Sequence, residues 1–514
     1  MAFTMSVAEL IDADTSGMLG IHATWARVPL GDIATILNGA PFDSELFSTA
    51  GGMPLIRIRD ITNGQTNTYY NGKYDDTYLV KQGDLLVGMD GDFHSSYWGP
   101  QAALLNQRVC KISPTESFYD KRLMSLALPG YLAAINANTP SVTVKHLSSK
   151  TIGEIGLPLP PRAEQTRIVA KLEELLSDLD AGVAELKAAQ KKLAQYRQSL
   201  LKAAVEGALT AQWRTQNTPE ETGAQLLARI LSERRARWEA KQLDKFKEQG
   251  KPPPKDWQQK YPEPVQPDIS NLPVLPQGWA WSSLDQLAQI GTGVTPLRSK
   301  VQYFEGGLIP WVTSGALNQE LVKISSEMVT ALAQKECRLD LYPVGTLLVA
   351  MYGEGKTRGK CSELGISATI NQAIAALVLS GLAFRCQPYV KLFLLKSYEE
   401  MRTQASGGVQ PNLNLQIVRS IPVPLPPLSE QSFMNVELIE LLDAVRVQDL
   451  EIDYSLKQST AQRQNILRAA FAGQLVSQDP ADEPASLLLE RIRTERTAQA
   501  AVRQPRGRKG KEAA

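Results

Sequence analysis

The chain has 514 residues, of which 43% are hydrophobic and 21% are charged, and its formal net charge is +1. This composition is typical of a folded protein of several domains, and the near-zero charge excludes a global basic field, so any binding of nucleic acid must use local patches. The four cysteines form no C-x-x-C pair, which argues against a zinc site or a disulfide framework. No stretch approaches the roughly 18 apolar residues of a membrane helix, and no secretion signal is recognisable, so we expect a cytoplasmic protein.

Residues 1–24 show no clear pattern and are treated as an N-terminal arm. Residues 25–157 contain short apolar runs after glycine-polar turns, such as Leu85-Leu86-Val87, and many Gly and Pro residues. Such runs are typical of strands, and the Gly and Pro residues indicate numerous loops. We therefore predict a mixed α/β domain in this part of the chain.

Residues 158–210 are predicted to form a long helix after a proline-rich entry. Residues 157–165 have the sequence L-P-L-P-P-R-A-E-Q, whose prolines impose an extended approach. Apolar residues then recur at spacings of three, four or seven, at Ile168, Leu172, Leu175, Leu179, Val183, Leu186, Leu193 and Leu200. A run of about 44 residues spans roughly 66 Å as a helix, and its narrow apolar seam suits packing on another helix.

The remaining segments complete the predicted order. Residues 211–275 are polar, with a helix predicted over 220–248 and an extended linker at Lys251-Pro-Pro-Pro-Lys255. Residues 276–423 form a second α/β domain, and residues 424–476 a second long helix. Residues 477–514 are predicted to be a C-terminal helix with a basic tail.

The two halves of the chain are an internal repeat. The sequence V-P-L-P-P-L-S-E-Q at 423–431 repeats the helix entry, and the apolar positions Met434, Leu438, Leu441, Val445, Ile452 and Ile466 repeat the seam. The separation is 266 residues at three pairs of landmarks, namely Pro158 and Pro424, Arg197 and Arg463, and Gly207 and Gly473. It is only 254 between Trp25 and Trp279. The domains therefore vary in length, whereas the helices do not, and we expect the two helices to pair as an antiparallel coiled coil.

Most enzyme signatures are missing from the sequence. The three histidines, His22, His94 and His146, do not lie at metal-ligand spacing. The glycine-rich segment 353–360 lacks the first glycine of a phosphate-binding loop, because that position is Ala350. A glycine-rich turn that carries cations is the better interpretation of this segment.

Two variable domains that alternate with two matched helices, each opened by P-L-P-P-x-x-E-Q, resemble the specificity subunit of Type I restriction-modification enzymes. The resemblance covers roughly residues 25–500. The segments 207–214 and 490–496 also resemble sequences found in members of this family. It implies an α+β fold with two α/β target recognition domains and a pseudo-two-fold repeat. The two long antiparallel spacer helices between the domains would form the coiled coil.

The resemblance also implies a division of labour. The chain would be non-catalytic and would recognise a bipartite, asymmetric target in double-stranded DNA. Two modification subunits, which methylate adenine after flipping it from the duplex, would dock on the helices, and restriction subunits would join them. S-adenosylmethionine, ATP and Mg²⁺ would then be bound by those partners, with no cofactor or metal on this chain.

Arg and Lys bind guanine and phosphate, and Asn binds adenine, so these residue types supply the DNA-binding candidates. The candidates are Arg57, Arg59, Asn63, Lys73 and Lys145 in the first domain and Lys356, Arg358, Lys360, Asn412 and Asn414 in the second. The alternative for each is a solvated charge or a turn residue. The loops 407–414 and 139–145 have the further alternative of joining each domain to its helix. The Asn-Gln pairs at 106–107 and 371–372 occur in both domains, which favours a structural role, since the two domains should recognise different bases.

The spacer helices carry a second set of candidates, for helix pairing or for subunit contact. They are Leu172, Leu175, Leu176, Leu179 and Arg197 in the first helix and Leu438, Leu441, Leu442, Val445 and Arg463 in the second. We assign Leu175 and Leu441 to the intramolecular seam. Leu176 and Leu442 are expected to face outward, where exposed apolar residues mark interfaces.

Two other functions are compatible with these patterns. The chain is alternatively a specificity subunit of an assembly that only methylates DNA, or a coiled-coil scaffold that does not read DNA. A scaffold would show no preferred DNA motif in binding measurements with the methylating complex. A stand-alone enzyme is disfavoured by the missing motifs.

If the helices act as a spacer, inserting or deleting one helical turn in a helix changes the length of the non-specific gap between the two half-sites, because half-site spacing follows from protein geometry. Sequencing of methylated DNA from such a variant measures the gap. An unchanged gap would contradict the spacer hypothesis.

Overall fold

The structure is a computed structural model that describes residues 6–14, 17–139, 145–352, 359–405 and 413–503, with only the backbone described at 399–405 and 499–503. The chain forms two compact units. Unit one comprises residues 1–187 and 453–514, and unit two comprises residues 188–452. Both boundaries fall within the two long helices, so each unit contains one α/β domain and a half of each long helix.

The first half of the chain contains these elements. Its helices are α1 (Val7–Asp12), α2 (Leu30–Ile33), α3 (Lys121–Ala137), α4 (Ser149–Gly153) and the long α5 (Arg162–Val205). Its strands are β1 (Ala26–Pro29), β2 (Ala34–Asn38), β3 (Phe47–Ser48), β4 (Met53–Pro54), β5 (Tyr69–Tyr70), β6 (Leu79–Val80), β7 (Leu85–Gly88), β8 (Ser95–Tyr97), β9 (Ala103–Leu104), β10 (Val109–Pro114) and β11 (Gly156–Leu159).

The second half repeats the pattern. Its helices are α6 (Ala211–Gln216), α7 (Gly223–Glu248), α8 (Leu284–Leu287), α9 (Ala331–Glu336), α10 (Gln387–Ala405), α11 (Leu415–Ser420), the long α12 (Leu428–Phe471) and α13 (Ala485–Arg503). Its strands are β12 (Ala280–Ser283), β13 (Gln289–Thr292), β14 (Ile309–Val312), β15 (Leu321–Val322), β16 (Glu327–Val329), β17 (Leu347–Ala350), β18 (Cys361–Leu364), β19 (Thr369–Ile370), β20 (Ile374–Val378) and β21 (Pro422–Leu425). None of the helices in the described part of the chain combines the length and apolarity needed to cross a membrane.

Each unit is built on a central antiparallel sheet of the same strand order. The order is β2-β10-β7-β8 in unit one and β13-β20-β17-β18 in unit two, where β15 adds a fifth strand. The central strands β7 and β17 are buried along their whole length. They coincide with the apolar runs 85–87 and 347–350, so the prediction of strands there is confirmed. A smaller three-stranded sheet accompanies each central sheet, β3-β5-β4 in unit one and β16-β14-β19 in unit two.

The N-terminal arm contributes to the core of unit one. Ser6 and Glu9 form a reciprocal capping box at the start of α1, an arrangement that satisfies backbone groups left free at a helix N-terminus. Val7, Leu10 and Ile11 are buried in the core cluster that also contains residues of α3 and α5. The described part of the arm, for which no pattern was recognisable in the sequence, is therefore a packed part of its unit.

The proline-rich motif forms a strand that ties each domain to its long helix. In unit one β11 pairs antiparallel with β1, and in unit two β21 pairs antiparallel with β12. A buried tyrosine fastens each strand, because Tyr119 donates to the Pro158 carbonyl at 3.0 Å and Tyr389 donates to the Pro424 carbonyl at 2.5 Å. The first and last strands of each domain thus lie side by side at the helix entry.

The Glu and Gln residues of the P-L-P-P-x-x-E-Q motif make the same buried hydrogen bonds in both units, which explains why the motif occurs twice. The Trp25 indole donates to Glu164 Oε2 at 3.0 Å, and the Trp279 indole donates to Glu430 Oε2 at 2.8 Å. The following glutamines, Gln165 in unit one and Gln431 in unit two, donate to the carbonyl five residues earlier, at 3.0 Å and 2.8 Å. Because buried polar groups are costly unless they are hydrogen-bonded, these residues specify one geometry for the helix entry.

The segment that follows each long helix closes on the first turn of the other one. In unit two Thr210 donates to Glu430 Oε1 at 2.5 Å, and Arg214 forms an ion pair with the same carboxylate. In unit one Gln478 donates to Glu164 at 3.5 Å and Arg167 pairs with Asp482 at 2.7 Å. The motif glutamate of unit two therefore has a charged partner, Arg214, whereas the motif glutamate of unit one is bonded by the neutral side chain of Gln478.

The long helices run antiparallel within each unit. In unit one Arg463 lies 2.5 Å from Asp180 and Arg167 lies 2.7 Å from Asp482, and in unit two Gln190 bonds Asp449 at 3.2 Å. Seam residues near the helix ends are buried, namely Ile168, Leu172, Leu200, Met434 and Leu438, whereas Leu179, Val183, Leu186 and Leu193 are half-buried. The predicted antiparallel pairing is confirmed. The helices are held most tightly where they enter and leave the domains.

One assignment on the helices is wrong, that of Leu176. Leu176, expected to face outward, is 5% exposed in the core of unit one, whereas Leu175 is only half-buried. Ile168, Leu172 and Leu176 are spaced four residues apart, so they lie on one face of α5, and this face packs into the core of the α/β domain. Leu442 is half-buried against the core of unit two, beside Leu441 and the buried Val445. The helices thus have a second apolar face because each packs on its own domain.

The short repeat between α7 and α13 also has a structural counterpart. Leu226 and Ile230 are buried in unit two, and Leu488 and Ile492 are buried in unit one. Arg496 pairs with Asp32 at 2.8 Å, as Arg234 pairs with Asp285 at 4.0 Å. The linker after α7 has neither helix nor strand at 251–254, and its continuation packs back on α7, where Trp257 stacks on Trp238.

We expect Glu430→Gln to lower the stability of unit two by about 2–3 kcal/mol, because it leaves the mostly buried Arg214 without its counter-charge. Glu164→Gln is the matched control, since it removes the same charge where the structure gives Glu164 no direct ion pair. Denaturation followed by tryptophan fluorescence measures both, and equal losses would contradict this account.

The stability of Glu164→Gln relative to wild type should also depend on pH. Burial raises the pKa of Glu164, although its bond from Trp25 acts in the opposite direction. A raised pKa means that the folded state favours the protonated acid, so wild type gains stability relative to Glu164→Gln as pH falls towards the range where Glu164 takes up a proton. Unfolding midpoints of wild type and Glu164→Gln measured from pH 5 to pH 8 test this prediction. If wild type became more stable relative to the variant as pH rises, the prediction would be contradicted.

Candidate nucleic-acid interface

Each domain brings a turn and a hairpin tip together beside its central sheet. In unit one the turn is residues 57–63, which include a 3-10 helix at Ile58–Asp60, and the tip is residues 89–94 between β7 and β8. In unit two the turn is residues 313–319, and the described residues of the tip between β17 and β18 are 351–352 and 359–360. We call each pair the turn–tip surface.

The turn packs at the base of the tip in unit one and contacts the tip directly in unit two. In unit one a side chain at Gly88 would place its Cβ 2.9 Å from Ile58 and 3.1 Å from Ile61, so the turn packs on the end of β7. In unit two Lys360 donates to Asn318 Oδ1 at 2.5 Å. Turn and tip therefore form one continuous surface in each domain.

The two surfaces share their backbone bonds. Gly88 N–H bonds the His94 carbonyl at 2.8 Å, and Ala350 N–H bonds the Lys360 carbonyl at 2.9 Å. The residue two positions before the second strand of the hairpin has positive φ in both, 47° at Phe93 and 79° at Gly359. The shared bonds lie at the base of each hairpin, and the two surfaces differ in their side chains and in the number of residues between the strands, six at 89–94 and ten at 351–360.

Three of the predicted residues lie together on the turn of unit one. The Arg57 guanidinium lies 5.5 Å from the centre of the Phe47 ring. The backbone N–H of Arg57 donates to the Asp60 carboxylate at 2.8 Å. Arg59 is 74% exposed and lies 3.8 Å from Asp60, and Asn63 is exposed. This group is an exposed basic and amide patch, as a contact with DNA requires.

The other two candidates of unit one are placed differently. Lys145 lies beside the tip, since its carbonyl accepts from Gly91 N–H at 3.0 Å. Its ammonium, however, donates to the Asn136 carbonyl at 2.6 Å and to Asn136 Oδ1 at 2.9 Å, which fastens the segment after α3. Lys73 is exposed after β5, and no contact described for it brings it to the turn.

In unit two, Lys356, Arg358 and Asn412 lie outside the described residues. Lys360 lies on the turn–tip surface through its bond to Asn318. Asn414 Oδ1 accepts from Ile417 N–H at 2.8 Å and caps α11, as Ser148 caps α4 by accepting from Thr151 N–H at 3.0 Å. The matched caps agree with the alternative that this segment joins domain to helix, and a DNA contact by Asn414 stays a prediction.

The Asn-Gln pairs found in both domains have local structural partners. Asn106 Oδ1 accepts from Gln107 N–H at 2.7 Å, and Asn371 Oδ1 accepts from Ala373 N–H at 3.1 Å. A Cβ at Gly39 would lie 2.1 Å from the Asn106 carbonyl oxygen, and one at Gly293 would lie 1.7 Å from the Ile370 carbonyl oxygen. These positions therefore form a close backbone approach common to both domains.

Sequence reasoning missed several residues on or beside the turn–tip surfaces, namely Asp90, Arg108, His146, Thr313 and Asn318. Asp90 and Arg108 follow residues shared by the two halves, Met89 and Gln107. Aligning the two halves of the sequence and looking for differing residues next to shared ones would have identified such positions.

The chemistry available near these surfaces is charge and hydrogen bonding. Burial raises the pKa of Cys110 and Cys361 to about 12 and that of Cys386 to about 11, so these thiols stay protonated at neutral pH. Among the described residues no three His, Cys, Asp or Glu side chains are grouped so that they can hold a metal ion.

Comparison with known proteins identifies the family. The sequence profile of the Type I restriction modification DNA specificity domain matches residues 22–189 and again residues 276–445. The chain belongs to this family. The two matches coincide with the two α/β domains, each with the first part of the helix that follows it, so the chain is a specificity subunit with two DNA specificity domains.

Individual relatives extend over nearly the whole chain. The EcoBI specificity subunit of Escherichia coli is 32% identical over 97% of this chain and 98% of its own length, and the EcoDI specificity subunit is 24% identical over 92% and 96%. A chain solved for the structural basis of complex assembly and conformational transition of the type I R-M system covers 88% of this chain and 99% of its own length. Its TM-score is 0.58 at 17% identity, which shows the same fold.

Arg59 and Lys145 should respond to substitution in opposite ways. We expect Arg59→Ala to weaken DNA binding and to reduce its salt dependence by about one phosphate contact, with no change in stability. Lys145→Ala should instead lower stability by about 1–2 kcal/mol, because Asn136 loses its donor. Binding titrations at several salt concentrations, together with thermal unfolding, measure both, and a loss of stability in Arg59→Ala would contradict the assignment.

Proposed function

We propose that the chain recognises a bipartite, asymmetric sequence in double-stranded DNA, with one half-site read by each DNA specificity domain. The observation that carries the proposal is the pair of turn–tip surfaces, which share backbone bonds at the base of the hairpin and present different side chains. In unit one the surface offers Arg57, Arg59 and Asn63, and in unit two it offers Lys360 and Asn318. Different side chains on one scaffold suit two different half-sites.

The long helices set the distance between the half-sites in this proposal. Both α5 and α12 have 44 residues, and each carries the Trp–Glu bond in its first turn and ends two residues before a glycine of positive φ, Gly207 or Gly473. Since a helix rises about 1.5 Å per residue, its residue count fixes the length. A matched control for the insertion of a helical turn is the same insertion at 251–254, outside both helices, which should leave the gap unchanged.

The partners are two modification subunits, which are adenine methyltransferases, and restriction subunits that translocate and cleave DNA. The chain is the non-catalytic recognition subunit of this complex, and S-adenosylmethionine, ATP and Mg²⁺ are bound by those partners. The exposed apolar side chains of α12 in unit two, Val436, Ile439, Val447 and Leu450, support docking there, because exposed apolar patches mark interfaces.

Methylome sequencing of a host that expresses this chain with its modification subunit tests the function. We expect one methylated motif made of two different half-sites separated by a fixed gap, and no motif when the modification subunit is expressed alone. A continuous motif, or methylation without any sequence preference, would contradict the proposal.

A further inference from the structure

A side-chain cluster beside the tip of unit one joins three segments of the domain. Asp90 Oδ1 accepts from His146 Nδ1 at 2.6 Å, and Asp90 Oδ2 lies 3.3 Å from Arg108 Nε. Arg108 and His146 are 55% and 53% exposed, whereas Asp90 is 21% exposed. The carboxylate thus lies behind two side chains that reach the solvent.

The contacts leave the outer atoms of both side chains available to a ligand. Arg108 meets Asp90 through Nε, so both of its terminal nitrogens are unbound among the described contacts. His146 Nδ1 faces the carboxylate, so Nε2 is the ring nitrogen left for a ligand. Holding both side chains in one orientation before binding reduces the entropy lost on binding.

The cluster occupies positions at which the two domains share backbone but differ in side chain. Met89 N–H bonds the Arg108 carbonyl at 3.0 Å, and Met351 N–H bonds the Ala373 carbonyl at 2.8 Å. Ala373 therefore takes the place of Arg108 in unit two, and Tyr352, which follows Met351, takes the place of Asp90. A difference of this kind is expected where two domains recognise different bases.

We propose that Arg108 reads a guanine of the half-site bound by the first domain, that His146 contacts the neighbouring base pair, and that Asp90 is the positioning residue for both. The inference rests on the proposed function of this chain as a reader of two half-sites. The free edge of an arginine pairs with O6 and N7 of guanine in the major groove, and neutral Nε2 of histidine accepts from the amino group of adenine or cytosine.

The charge of Asp90 favours bases over phosphate as the ligand. A carboxylate in direct contact with both Arg108 and His146 repels a phosphate that approaches the same pair, since like charges at short distance are unfavourable. The amino groups of cytosine and adenine are donors and are compatible with a nearby carboxylate. Phosphate contacts are better supplied by the exposed Arg59 on the adjacent turn.

The test uses the purified complex of this chain with its modification subunit, titrated with the cognate duplex and with duplexes changed at one base pair at a time. We expect Arg108→Ala to reduce discrimination about 10- to 100-fold at one G·C pair of the first half-site, with the second half-site unchanged. Asp90→Asn should reduce discrimination at the same base pair to a smaller extent, because the asparagine keeps an acceptor oxygen but loses the negative charge. Lys150→Ala is the matched control, since Lys150 is 86% exposed and pairs with Glu154 at 3.9 Å.

Other outcomes would overturn the inference. Equal weakening on all duplexes, with a salt dependence reduced by about one contact, assigns Arg108 to phosphate. Discrimination that is unchanged in Arg108→Ala, or relaxed at different pairs in Asp90→Asn and Arg108→Ala, excludes the cluster from base reading. Loss of binding on all duplexes with a lowered unfolding midpoint, in Arg108→Lys as well as Arg108→Ala, assigns it a structural role. Wild-type complex without a bipartite preference would instead refute the proposed function itself.

Discussion

The buried hydrogen bond from a tryptophan indole to the glutamate of the P-L-P-P-x-x-E-Q motif is the contact on which the rest of each unit depends. It joins the first residues of the domain to the first turn of the long helix, as Trp25 to Glu164 in unit one and as Trp279 to Glu430 in unit two. The segment after the opposite helix closes on the same glutamate. An unsatisfied buried carboxylate is costly, so each glutamate specifies where domain, strand and two helices meet.

The division between shared backbone and different side chains gives this architecture its function. The glycines at 39 and 293, the Asn-Gln pairs and the capped helices α4 and α11 hold the same loops in both domains. The exposed positions on those loops differ, as Arg108 and Ala373 do. Recognition can thus change by substitution on the turn–tip surface, while the entry to the helices and their length stay the same.

Local patterns in the sequence predicted the elements well, because strands such as 85–87, the long helices and the repeat depend on periodicity and spacing. Long-range contacts decided the rest. Leu176 is buried because α5 packs on its own domain, and the ammonium of Lys145 is occupied because the chain after α3 returns to the tip. Arg108 and His146 were not found since the carboxylate that holds them is distant in sequence. Residue type alone does not show which side chains converge on a surface.

Hydrogen–deuterium exchange of the methylating complex, with and without its cognate duplex, tests the central claim most directly. The account predicts that DNA protects the turn and tip of both units, residues 57–63 and 89–94 and residues 313–319 and 351–360. Exchange at the helix entries, around Trp25 and Trp279, should not change, because these are already fully bonded in the free protein. Protection confined to the helix entries or to α3 and α10, with none at the turns and tips, would contradict the account.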